Sequence, residues 1–217
     1  MLYIVATPIG NLKDITLRAL EILKSVDLIA CEDTRHTKIL LEHYGIKTPT
    51  TSYYQYNKLS KGRYLIELLK EGKDIALVSD SGTPGILDPG HHIINLALKN
   101  NIPITAIPGA VALINALVLS GKPSHRFIFE GFLPPKKESR RNRILALKKQ
   151  KYTIIFYESP HRILATLRDI QEIFGDIDIG VARELTKKFE EIKRKKVSQI
   201  IQELSVHKPR GEFVVVI

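Results

Sequence analysis

An α/β fold built from two domains is predicted by three features of the sequence. Short apolar runs alternate with helix-period segments from the first residues onward. The loops between them are rich in Gly, Pro and hydroxyl side chains, as where a parallel strand hands over to a crossover helix. A polar break, Ser120-Gly121-Lys122-Pro123-Ser124, divides residues 1–119 from residues 120–217.

The elements are taken in order. Leu2–Ala6 reads as a strand and Thr7-Pro8-Ile9-Gly10-Asn11 as a turn. Leu17, Leu20 and Leu23 mark one side of a helix, and Val26–Cys31 is the next strand. A helix enters at Glu32-Asp33-Thr34-Arg35, capped by Asp33 or Thr34, and stops at Gly45. Pro49–Tyr54 is extended, Lys61–Glu71 is helical, and Asp74–Val78 is a buried strand. After a long loop, Ile93, Ile94, Ala97 and Leu98 share a helix face, and Ile102–Ile107 is a strand. Pro108-Gly109 opens a helix over Ala110–Leu119, rich in small residues suited to close packing. Such alternation predicts a parallel sheet covered on both faces.

The second half is less regular. Arg126–Phe132 and Thr153–Tyr157 are strands around a basic helix, Lys136–Lys149. Pro160 suits the first position of a helix that runs to Phe174. Ile177–Ala182 and Glu212–Ile217 are strands and Ser198–Leu204 a helix, while residues 188–196 fit strand or helix equally.

Composition bounds the function. No run approaches the ~20 apolar residues of a membrane span, and the start, Met1-Leu2-Tyr3-Ile4-Val5, lacks a signal peptide's charged region. A single cysteine, Cys31, excludes an internal disulfide and sits where a buried thiol is expected. A cytoplasmic protein is therefore expected. The net charge of +10 is concentrated in residues 136–151 (net +7) and 187–196 (net +4). Such clustering is expected of a polyanion binder.

The stretch Ser79–Gly90 is the centre of the chemistry. It holds three Gly, two Pro, two acids and three hydroxyl side chains at the end of a buried strand. A loop in that position is where open α/β sheets bind ligands. The Gly-x-Gly-x-x-Gly and P-loop patterns are absent, which argues against a dinucleotide enzyme and a P-loop NTPase. His91-His92 are neighbours that point apart at a helix start, so no metal site is expected. His161 and Arg162, at another helix start, suit an anion.

Six motifs occur in order: Val5-Ala6-Thr7-Pro8-Ile9-Gly10-Asn11-Leu12, Cys31-Glu32-Asp33-Thr34-Arg35, Ser79–Gly85, Pro108-Gly109-Ala110, Tyr157-Glu158-Ser159-Pro160-His161-Arg162 and Ala182-Arg183-Glu184-Leu185-Thr186-Lys187. Together they resemble the small-subunit (16S) ribosomal RNA cytidine-2′-O-methyltransferases of the tetrapyrrole methylase superfamily. The resemblance spans essentially the whole chain. It implies two α/β domains with a cleft between them for S-adenosylmethionine, and a homodimer. Carried over by motif, Pro8, Asp80, Thr83, Val111, Ala112, Tyr157 and Ala182 would bind the cofactor. The basic windows fit an RNA substrate, 16S rRNA or the small ribosomal subunit, with Arg140, Arg141 and Arg143 on the backbone and His161 and Arg162 on a nearby phosphate. Glu32 and Glu158 are the candidate catalytic bases. Asp33 is set aside as a cap and Glu184 as a partner of Arg183. A tetrapyrrole methylase and a non-catalytic RNA-binding relative are the alternatives. In many members a Gly turn follows the pair that stands here as Glu190-Glu191, and a further segment follows the last strand; here Ile192 succeeds the pair and the chain stops at Ile217.

Overall fold

Five short strands of the first unit, Met1–Val111, all run parallel. In the computed structural model, which describes residues 1–217, they are β1 (Leu2–Val5), β2 (Leu28–Cys31), β3 (Thr50–Ser52), β4 (Ile75–Val78) and β5 (Ile104–Ile107), in the order β3-β2-β4-β1-β5. The helices are α1 (Leu17–Ser25), α2 (Thr34–His43), α3 (Lys58–Lys70) and α4 (His91–Lys99). Strand side chains alternate between faces. Val5, Ile29, Cys31, Ala76 and Val78 therefore meet Ala19 and Leu23 of α1 and Leu40 and Leu41 of α2. Leu2, Ile4, Ala30, Ile75 and Leu77 meet Leu65, Ile66, Ile93 and Ala97 of α3 and α4. Both faces of the sheet are covered, as the alternation predicts. Leu17, expected on the inward side of α1, is exposed; Ala19 and Leu23 fill that role.

The second unit, Ala112–Ile217, begins with α5 (Ala112–Ser120), β6 (Phe127–Phe132), α6 (Lys137–Lys148), β7 (Thr153–Glu158) and α7 (Ile163–Phe174). It continues with β8 (Asp178–Arg183), β9 (Glu191–Lys196), α8 (Val197–Ser205) and β10 (Phe213–Val216). Its sheet has the order β6-β7-β10-β8-β9. Only β6 and β7 pair in parallel; β10 runs antiparallel to both neighbours, and β8 and β9 form a hairpin. Residues 191–196 are thus strand. The chain reverses ahead of the Glu190-Glu191 pair, through Glu184 and Thr186 in left-handed conformations, so the hairpin forms without a Gly at that point. Pro160 lies in the turn before α7, not in its first helical position.

One face of this sheet carries Ile154, Phe156, Ile179, Val181, Phe213 and Val215 against α6, α7 and α8. The other carries α5. The division between units falls at 111/112, ahead of the 119/120 break expected from composition, because α5 packs on β7, β8 and β10. Gly180 makes that approach close: a Cβ there would stand 2.7 Å from Ser120 Cβ and 3.2 Å from its Cα. Gly180→Ala is therefore expected to destabilise the chain by about 1–3 kcal/mol, the range for overpacking a tight contact. A urea midpoint equal to wild type would show that α5 can simply ride outward. No helix is long and apolar enough to cross a membrane.

Candidate functional site

In the first unit, strand order places the site. β2 leads on to β3 at one side of the sheet and β4 to β5 at the other. Their carboxyl ends therefore open a crevice, the position where open parallel sheets take ligands. Three other segments are tied to the Ser79–Gly90 loop there. Thr7 N–H donates to Gly82 O (2.8 Å) and Gly82 N–H to Thr7 O (3.2 Å), which fixes the turn carrying Pro8. Asp33 N–H donates to Asp80 Oδ1 (3.1 Å), which fixes the start of α2. The Thr83 hydroxyl donates to Ala110 O (3.3 Å). Gly82 has φ +82°, and a Cβ there would lie 3.6 Å from Ala110 O and 3.4 Å from a methyl of Ile9.

Pro8, Glu32, Asp80 and Thr83 thus belong to segments that converge on one loop, with Val111 just beyond Ala110. The amides of Gly109, Ala110 and Val111 take part in no backbone hydrogen bond, and Asp80 Oδ2 accepts none. Glu32 has no ion pair or hydrogen bond within the chain. Burial, then the charges of Asp80 and Asp88, push its carboxyl above the usual range. Burial and Asp80 likewise raise Asp88, against a hydrogen bond from Ser79. Asp33 caps α2 by accepting from Arg35 N–H (2.8 Å), and hydrogen bonds from Arg35 hold its carboxyl at about 2. Burial pushes the Cys31 thiol up, in keeping with an inert group.

In the second unit, Tyr157 and Ala182 stand in one row, each paired with Val214 of β10. Leu113 N–H, in the first turn of α5, donates to the Tyr157 hydroxyl (3.2 Å), which brings Ala112 to the same row. Glu158, one residue on, belongs to the opposite face. It is 2% exposed, accepts from Ser159 N–H (2.8 Å) and the Thr166 hydroxyl (2.7 Å), and pairs with Arg162 (2.7 Å). A carboxylate so enclosed anchors β7 to α7, so it is not the catalytic base. Arg162 also donates to Leu133 O (3.1 Å), so it too belongs to this buried network and is not a free phosphate ligand. His161 is exposed.

The basic helix also differs from expectation. Arg140 is 5% exposed and grips Asp169 of α7 at 2.7 Å. Arg141 pairs with Asp169 (3.1 Å) and Glu172, and Arg143 with Glu130 (2.5 Å). In the second window, Lys193 and Lys195 pair with Glu203 and Lys196 with Asp178. Other cations of the first window, and Arg126 ahead of it, have no acidic partner. Arg126, Lys149 and Lys151 line a recess at the amino ends of β6 and β7, with Arg126 5.9 Å from the centre of the Tyr152 ring. A charge count could not distinguish these from the paired arginines.

The sequence profile of the tetrapyrrole (corrin/porphyrin) methylases matches residues 1–201. The chain belongs to the tetrapyrrole methylase family. Within this family it is 49% identical to the "Ribosomal RNA small subunit methyltransferase I" of Thermotoga maritima, covering all of this chain and 97% of that one. The proteins of the same name from Synechocystis and Bacillus subtilis are also 49% identical, with 78% and 74% of their length covered. Solved structures show the methylase fold at lower identity. Diphthine synthase superposes with a TM-score of 0.75 at 17% identity, covering 99% of this chain and 88% of that one. A cobalt precorrin-4 methyltransferase gives 0.73 at 16%, covering 99% and 93%.

Methylases of this family take the methyl group from S-adenosylmethionine, and the residues present fit that group. The crevice carries acids and no basic side chain among the residues that converge, which suits a cation. A carboxylate oxygen and a row of unpaired amides suit a ligand rich in hydroxyl, amino and ring nitrogen atoms.

Proposed function

We propose that this protein transfers a methyl group from S-adenosylmethionine to the ribose 2′-hydroxyl of a cytidine in 16S rRNA of the small ribosomal subunit. The observation that carries the reading is the near-half identity, over the whole chain, to proteins named as small-subunit rRNA methyltransferases. A porphyrin or corrin substrate has weaker support, since the solved methylases of those compounds are 14–19% identical. A cytoplasmic location and a homodimer accompany the reading. Ile114 and Val118, exposed on one face of α5, offer apolar surface for a second copy.

When bound, S-adenosylmethionine supplies a methyl group already activated by its sulfonium charge. Asp80 would accept hydrogen bonds from the donor's hydroxyl or amino groups, and the amides of Gly109, Ala110 and Val111 would donate to its acceptors. Pro8, Thr83 and Val111 of the first unit would hold it too, and Ala112, Tyr157 and Ala182 are the candidates that the second unit offers. Glu32 takes the proton from the ribose hydroxyl, a poor nucleophile unless a base stands within ~2.6–3.2 Å of it. His161 contacts an adjacent phosphate. Alignment of methyl carbon and oxygen supplies much of the remaining rate.

Calorimetric titration with S-adenosylmethionine, followed by methyl transfer to isolated small subunits, tests the reading. Binding of the donor with no transfer to rRNA would refute the substrate. Asp80→Ala should weaken donor binding about 10- to 100-fold, the loss of a charged hydrogen-bond partner. Unchanged affinity would remove Asp80 from the site.

A further inference from the structure

The loop from Arg183 to Glu190, between β8 and β9, is held in a conformation that its residues do not favour. Glu184 has φ +50° and Thr186 φ +65°, both in the left-handed region without being Gly. Backbone of this kind is strained and persists only where the surroundings enforce it. Here they do. Glu184 N–H donates to Glu212 O (3.1 Å), and Glu212 N–H returns a bond to Glu184 Oε1 (3.0 Å). Thr186 N–H donates to Glu190 Oε2 (2.5 Å), and Lys187 holds both Glu184 (3.0 Å) and Glu212 (2.8 Å). The Glu184 side chain lies flat on Gly211, where any Cβ would meet it at 2.5 Å.

This clamp opens a cavity of about 540 Å³ beside the loop, lined by Arg183, Glu184, Phe189, His207, Lys208 and Arg210. Its one acid, Glu184, is engaged by Lys187, whereas Lys208 and Arg210 have no acidic partner. Arg183 Nε is buried with no hydrogen-bond acceptor; Glu191 Oε2, at 3.5 Å, serves only as an ion-pair partner. An orphaned buried donor calls for an acceptor. Phe189, at the rim, is 64% exposed with Lys188 5.6 Å from its ring centre. Arg183 directly follows Ala182 of the candidate cofactor row, so the cavity lies at the same end of the sheet.

We propose that this cavity binds single-stranded RNA next to the nucleotide that is methylated, with a phosphate on Arg183, Lys208 and Arg210 and a base stacked on Phe189. The proposal rests on the rRNA methyltransferase reading and specifies where its substrate is gripped. Cations around an exposed aromatic ring are the pattern by which single strands are held, through phosphate charge and base stacking. A duplex has no unstacked base to offer Phe189. Lys187 engages Glu184, and Lys208 and Arg210 leave the recess positive.

The test uses the whole chain, with oligocytidylate as the binding probe and small ribosomal subunits as the substrate. Phe189→Ala should weaken oligocytidylate binding on the order of 10-fold, and Phe189→Tyr should restore it. Lys208→Ala with Arg210→Ala should weaken binding and reduce the slope of log affinity against log salt by about 1.4, two phosphate contacts on a single strand. KM for subunits should rise in these variants with kcat and donor affinity little changed. All three positions lie on exposed loop surface, and circular dichroism checks that the fold is kept. Wild-type binding, salt slope and KM in both variants would overturn the proposal while methyl transfer by the parent chain leaves the broader reading standing. Equal losses on duplex and single-stranded probes would also overturn it. No transfer by the parent chain would instead refute the reading on which it rests.

Discussion

Glu32→Gln is expected to lower turnover on small ribosomal subunits about 100-fold or more, the range for a lost general base, while leaving donor binding nearly intact. The side chain ends β2 at the crevice and is committed to no partner. Burial and the charges of Asp80 and Asp88 raise its proton affinity, which makes it a better base than an ordinary surface carboxylate. The acid limb of the pH–rate profile should accordingly lie above the ~4.3 of free Glu and vanish in the Gln variant. Stability should move the other way. The folded carboxyl holds its proton more tightly than the unfolded one, so its contribution is full below the unfolded pKa and is lost as pH rises through the folded one. At neutral pH, Glu32→Gln should therefore raise the melting temperature slightly, and the difference should close in acid. Loss of activity together with gain of stability separates a catalytic role from damage to the fold. Wild-type turnover in the variant would make water the proton acceptor and alignment the whole of catalysis.

Asp169→Ala should cost about 3–5 kcal/mol, because it leaves the Arg140 guanidinium buried and unpaired. The pair is nearly sealed, with side chains 6% and 4% exposed. Replacing both partners together, Arg140→Met with Asp169→Leu, should recover most of that loss, since a buried pair is often no better than apolar residues of similar volume. Denaturant unfolding followed by circular dichroism reads the difference. The chain has two units and need not unfold in one step, so the transition that shifts is the one to compare. A single variant within about 1 kcal/mol of wild type would mean that water reaches Arg140. The experiment also bears on RNA binding, because Arg140 is then a structural cation whose substitution weakens substrate affinity only through the fold.

These two residues show what could be read from the sequence. Glu32 was legible because its position depends on local signals: an apolar strand, an N-cap at Asp33 and a strand-end loop at Ser79–Gly90. The same signals foretold the parallel first sheet and the convergence of its loops. Glu158 departs from expectation because strand alternation decides its fate, and the faces of β7 are assigned only once α5 and α6–α8 are known to lie on opposite sides. Tyr157 looks to one and Glu158 to the other. The arginines of α6 depart from expectation for a related reason. Their partners Glu130, Asp169 and Glu172 are distant in sequence, so a local count sees +7 where folding leaves much of it neutralised. The unit boundary lies ahead of the polar break because that break is only a compositional signal, whereas α5 is claimed by the contact that Gly180 permits. The cavity beside Arg183 gave no signal at all, since nothing in Glu184 or Thr186 announces a left-handed backbone.

β9 leaves one edge of its sheet open. It is the outermost strand of its sheet and pairs only with β8, so one row of its amides and carbonyls has no neighbour. A free row of that kind is a template on which another strand can polymerise. Its final residues are Lys193, Arg194, Lys195 and Lys196; Lys193 pairs with Glu191 of the same strand and with Glu203, Lys195 with Glu203 and Lys196 with Asp178. A second copy that zipped onto this edge would bring Arg194 and the half-exposed Lys195 and Lys196 against like side chains. Chemistry that masks those amines, such as acetylation or acidic detergents, should therefore promote fibrous aggregation of an otherwise folded protein.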